Sequence, residues 1–132
     1  MPNLTTAQIG GLTTAELAGF TAAQTPLFTT AQIAALTTAQ VAALAATQVA
    51  VLTTQELAGF STVQLSVLTT AAISGIQPGL IVGLSTAQIV ALTTAQLNTL
   101  SAANVTALGT ANQAALSTAQ IAGLSVAGIG GL

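Results

Sequence analysis

Large apolar residues recur along this chain at a fixed interval of eight. Leu4, Leu12, Phe20, Phe28, Leu36, Leu44, Leu52 and Phe60 open the series, and Leu68, Ile76, Leu84, Leu92 and the leucines at 100, 108, 116, 124 and 132 continue it without insertion or deletion. Calling these positions slot one, slot six is a second apolar row of Ile, Val or Leu, broken only at Thr25 and Gln113. Slot two is Thr or Ser except at Ala45, Gln77 and Gly109. Slot five is Gln or Glu in most repeats, with Asn104 and Asn112 as close relatives. Slot four is usually Ala, and slots seven and eight are mostly small. Such self-similarity predicts a repeat architecture, a single array over residues 1–132 whose repeats begin at Leu4.

The period excludes the long regular elements. A continuous α-helix overshoots two turns by roughly 80° every eight residues, so its apolar row would spiral and bury no single face. In a strand, slots one and six have opposite parity and would point to opposite sides of the pleat. A short helix restarted in every repeat satisfies all slots together. Thr5 as N-cap can accept from the amide three residues on, and Gln8 can reach back to the amide of Thr5, which is the capping box. The pairs Thr13 and Glu16, Thr37 and Gln40, Thr53 and Glu56, and Thr93 and Gln96 repeat this spacing. Leu4 before the cap can then pack on Ile9 as a hydrophobic staple. Pro78 falls at the first helical position, where a missing N–H is harmless. Glycine gathers at slots seven and eight, where a left-handed or tight turn would end each helix. Pro26 beside Thr25 is expected to shorten the helix of its repeat.

Helices of about seven residues cannot stand alone in water, so stacking on neighbouring coils must order them. The expectation is an all-α solenoid. Leu4, Ile9, Leu12, Phe20, Phe28, Leu36, Phe60 and Leu92 would lie in its core, and Thr, Ser and Gln outside. The alanine of slot four is expected to permit close backbone approach. Four repeats per coil is the favoured closure, one right angle per cap, with Phe28 and Phe60 stacked one coil apart. Three per coil is the alternative.

Composition narrows the function. Charged residues make up 2% of the chain, and Lys, Arg, His, Cys, Trp and Tyr are absent. General acid–base catalysis and metal ligation need titratable or soft side chains, so neither an enzyme nor a cofactor or metal site is expected. Phosphate backbones are bound through Lys and Arg, so nucleic acid is excluded as a partner. Glu16 and Glu56 carry the whole net charge of −2, both at the third helical position, where a carboxylate suits the helix dipole. The start, Met1-Pro2-Asn3-Leu4, lacks the basic region and apolar run of a secretory signal. Asn3-Leu-Thr5 and Asn104-Val-Thr106 meet the N-glycosylation pattern, which a Thr-rich chain also produces by chance. The uncharged stretch Ala71 to Leu92 is long enough to span a bilayer, but its polar residues keep the repeat's schedule and no Lys or Arg flanks it, so a membrane is disfavoured.

The Leu-Thr-Thr-Ala-Gln-[Ile/Val]-Ala-Ala-Leu block resembles octapeptide repeats found in long tandem arrays in large bacterial surface or secreted proteins. That resemblance implies an extracellular or cell-surface, non-enzymatic spacer or scaffold. With almost no charge to hold copies apart, the chain itself is the expected partner, in head-to-tail or lateral association and as a filament subunit. The alternatives are an ice-binding array of the Thr-Thr pairs and a membrane-associated apolar repeat.

Overall fold

The computed structural model describes residues 3–20 and 28–132. Thr25 and Pro26, and with them the expected shortened helix, lie outside the described residues. Among those described the chain is all-helical, with fifteen short helices. In chain order they are α1 (Thr6–Gly10), α2 (Thr14–Ala18), α3 (Thr30–Ala34), α4 (Thr38–Ala42), α5 (Ala46–Val49), α6 (Thr54–Ala58), α7 (Thr62–Val67) and α8 (Thr70–Ser74). There follow α9 (Pro78–Ile81), α10 (Thr86–Val90), α11 (Thr94–Asn98), α12 (Ala102–Ala107), α13 (Gly109–Ala115), α14 (Thr118–Ala122) and α15 (Val126–Ile129). Most are five residues long, shorter than the expected seven, because each spans slots three to seven while slots eight and one form the turn into the next cap at slot two.

The helices stack in three columns. α1, α3, α6, α9, α12 and α15 form one; α2, α4, α7, α10 and α13 the second; α5, α8, α11 and α14 the third. Vertical neighbours such as Thr38 and Thr62, the first residues of α4 and α7, lie three repeats apart. Each coil therefore holds three repeats, which corrects the expected four, and the solenoid is a triangular prism. The cause lies at the corner. The C-cap residues keep right-handed helical angles, as at Gly59 (φ −72°, ψ −17°) and Ala91 (φ −79°, ψ −14°), and one slot-one residue then extends directly into the next N-cap. The chain turns more sharply than a right angle. Phe28 and Phe60 are accordingly not stacked one coil apart. Phe28 meets Phe20 of the neighbouring repeat edge to face, with ring centroids 5.7 Å apart.

Slots one and six fill the interior. Ile9, Phe28, Leu36, Phe60 and Leu92 are buried, while Leu4, Leu12 and Phe20 of the first coil are half-buried and pack against the same core. Packing is tight enough that a cavity lined by Leu17, Phe28, Ile33, Leu36 and Leu44 measures about 10 Å³, the size of one water. The prism is a filled rod.

Two expectations about small residues are corrected. Slot-four alanines such as Ala31, Ala39, Ala87 and Ala95 are exposed and mediate no close approach. Close approach occurs at slot eight: a Cβ on Gly59 would come within 3.2 Å of Thr30 Cα, and one on Gly75 would run into the carbonyl of Ala46, one coil below. The slot-eight glycines are there for space and not for a left-handed turn. Gly109 alone among the described residues has positive φ (77°). It stands at slot two, where no hydroxyl cap is present, so α13 follows α12 almost without a break and buries none of its residues. The segment Ala71 to Leu92 is divided among α8, α9 and α10, and no described helix is long and apolar enough to cross a membrane.

Candidate functional site

A five-residue helix leaves nearly every backbone N–H and C=O at a terminus, so its polar groups need partners outside the helix. The N-terminal side is served locally. Thr5, Thr13, Thr37, Thr53 and Thr93 each accept from the amide three residues on, at Gln8, Glu16, Gln40, Glu56 and Gln96. Each of those side chains accepts in return from the cap's own amide, at distances from 2.7 to 2.9 Å. Where Ala45 replaces the hydroxyl, half the box survives: its amide still donates to Gln48 Oε1. Replacing Thr93 by Ala should remove one such acceptor and cost about 1 kcal/mol. Urea denaturation followed by helical circular dichroism measures it, with Thr94→Ala, one position beyond the cap, as the comparison.

Glu16 shows the electrostatic side of the same box. Its carboxylate accepts from both the amide (2.8 Å) and the hydroxyl (2.9 Å) of Thr13, which holds its pKa below the ordinary glutamate value. A carboxylate depressed in the folded state stabilises above its unfolded pKa, and that stabilisation disappears as pH falls through the lower folded value. The first coil should therefore loosen on acidification in the native chain. Glu16→Gln should remove this contribution, as read from the chemical shifts of residues 13–17 across a pH titration.

The C-terminal side is served from the next coil, through the other end of the same glutamine. Gln40 Nε2 donates to the carbonyls of Ile9 (2.9 Å) and Leu12 (2.6 Å). Gln64 reaches Ile33 (3.1 Å) and Leu36 (2.7 Å), and Gln96 reaches Leu65 (2.8 Å) and Leu68 (2.7 Å). Gln48, Gln88 and Gln120 bond the slot-one carbonyls of Phe20, Phe60 and Leu92, Gln32 that of Leu4, and Asn104 that of Ile76. One side chain thus caps the start of its own helix and closes the end of the helix beneath it. The expectation that glutamine lies outside is corrected: Gln40 and Gln96 are each 2% exposed. Sequence reasoning assigned slot five a local duty and missed the second one. The available signal was its preference for an amide over a carboxylate, since only an amide can accept on one side and donate on the other.

The remaining features fall around this ladder. Asn104, in the second glycosylation pattern, is buried and donates to Ile76, whereas Asn3 is exposed. Glu16 and Glu56 lie in different columns, on α2 and α6, and no three His, Cys, Asp or Glu side chains gather as a metal cluster among the described residues. Thr14, Thr38, Thr62, Thr86 and Thr110 form an exposed slot-three column along the α2–α13 face.

Residues 73–110 match the family model of the ALTTAQ repeat. That span holds α9, α10, α11 and α12, two of them with complete capping boxes. No curated protein and no solved structure matches the sequence.

Proposed function

We propose that this tandem array of ALTTAQ-type repeats is a structural rod that lengthens by end-to-end association with further copies of itself. The observation that supports this reading is the ladder. Along most of the rod slot-five amides donate on one side of a coil and slot-one carbonyls accept on the other, with Glu56, Ala72 and Leu80 interrupting the row, so the same kind of interface recurs between coils. Gln8 in the first coil is exposed, and its Nε2 has no acceptor among the described residues. A second copy stacked on that coil would supply one. A contact of this kind is heterologous and does not close on itself, so it builds fibres and not rings. With a net charge of −2, electrostatic repulsion between copies is weak. The likeness of the repeat to surface and secreted arrays supports a place outside the cell. Negative-stain electron microscopy and sedimentation of the purified chain test the proposal: filaments one prism wide are expected, and a strictly monomeric species at high concentration would sink it.

A second reading draws on the slot-three column of Thr14, Thr38, Thr62, Thr86 and Thr110, a regular row of hydroxyls and methyls on one face, which suits an ice surface. It requires thermal hysteresis in dilute solution, abolished by Thr62→Lys.

A further inference from the structure

Glu56 stands where the ladder carries an amide, and its carboxylate is only half partnered. Oε2 accepts from the amide of Thr53 (2.7 Å) and from its hydroxyl (2.8 Å). Oε1 is buried without a hydrogen-bond partner, in a residue only 3% exposed. In the repeats on either side, Gln48 and Gln64 set an N–H donor on the slot-one carbonyl 28 residues earlier. For Glu56 that position belongs to Phe28. An acceptor therefore occupies a place built for a donor, and a buried carboxylate oxygen is costly unless a hydrogen-bond donor or a positive charge meets it.

The chain cannot supply that charge from a side chain, because it contains no Lys, Arg or His. Beside Glu56 opens a cleft of about 400 Å³, lined by Phe28, Thr29, Thr30, Thr53, Gln55 and Glu56. Its threonines add neutral oxygens to the carboxylate, and its volume admits an ion with part of its water. We infer that Glu56 anchors a site for a hard cation, held by oxygen alone in the cleft between α3 and α6. Calcium is the natural probe, since it accepts carboxylate, carbonyl, hydroxyl and water oxygens in flexible geometry. With one carboxylate the affinity belongs to the weak class, with a dissociation constant on the order of 10⁻⁴ to 10⁻³ M. Binding to the folded state alone raises the melting temperature with ion concentration.

The test is a calcium chloride titration of thermal unfolding at constant ionic strength, with equilibrium dialysis for stoichiometry. The native chain should gain melting temperature through the millimolar range and bind one ion. Glu56→Gln, which restores the ladder's amide, should be at least as stable as the native chain in chelator and should lose both the calcium response and the bound ion. Glu16→Gln, at the exposed box of the first coil, should keep both. The inference is overturned if the native chain does not respond, if Glu56→Gln responds equally, or if sodium chloride at matched ionic strength gives the same shift.

Discussion

Replacing Gln96 by glutamate should destabilise the rod by about 3 to 5 kcal/mol, more than any single cap replacement. Gln96 Oε1 accepts from the amide of Thr93 (2.9 Å), a role a carboxylate performs equally well, so the capping box survives the change. The loss falls on the other atom. Nε2 now donates to the carbonyls of Leu65, Ser66 and Leu68, and in the variant a negative oxygen would face those three acceptors in a site 2% exposed. Gln96→Ala loses the same bonds without adding a charge and should cost less, about 1 to 3 kcal/mol. The ordering separates the two duties of slot five: if Glu proved as good as Gln in urea denaturation, the inter-coil bond would contribute nothing and capping alone would explain the residue. Glu56 carries the carboxylate naturally, beside the cleft lined by Thr29, Thr30 and Thr53.

The second large effect is expected at Gly75. Its backbone is ordinary helix (φ −74°, ψ −16°), which any residue adopts, so an alanine there meets no conformational penalty. A methyl would nevertheless run into the carbonyl, carbon and Cα of Ala46 one coil below. Backbone on both sides leaves nothing flexible to yield, so α5 and α8 must part. Gly75→Ala should cost about 2 to 3 kcal/mol by overpacking. Gly79→Ala provides the contrast within the same stretch of chain. A Cβ at Gly79 meets nothing within 4 Å, and it lies inside α9, where alanine is the better helix former by about 0.5 to 1 kcal/mol. The two substitutions should shift the denaturation midpoint in opposite directions. Two shifts of the same sign would mean that slot eight does not set the coil spacing. Because the array is a stack of near-neighbour interfaces, the Gly75 variant should also broaden the transition, separating the coils on either side.

Much of this architecture is local and therefore readable along the chain. The capping box closes over three residues, from Thr93 to Gln96 for example, so the spacing of Thr and Gln alone implies where each helix starts. The eight-residue apolar period rules out a continuous helix or strand from geometry, and it places Leu36, Phe60 and Leu92 in the interior. Pro78 at the head of α9 follows from the same logic.

The features that escaped depend on distance along the chain. Whether a coil closes after three repeats or four rests on the backbone angles of a three-residue corner, and the same small residues would permit either turn. The close approach at slot eight, and not at slot four, follows from how one coil sits on the next. The second bond of a glutamine such as Gln40 or Gln96 reaches carbonyls 28 and 31 residues away, beyond any local spacing rule. By itself the sequence determined short capped helices, their period and the residues that must be buried, since those are contests between neighbouring backbone groups. Only the tertiary structure decided the triangular coil, the buried glutamine ladder and the odd carboxylate within it, because each is settled by which carbonyls the previous coil places within reach.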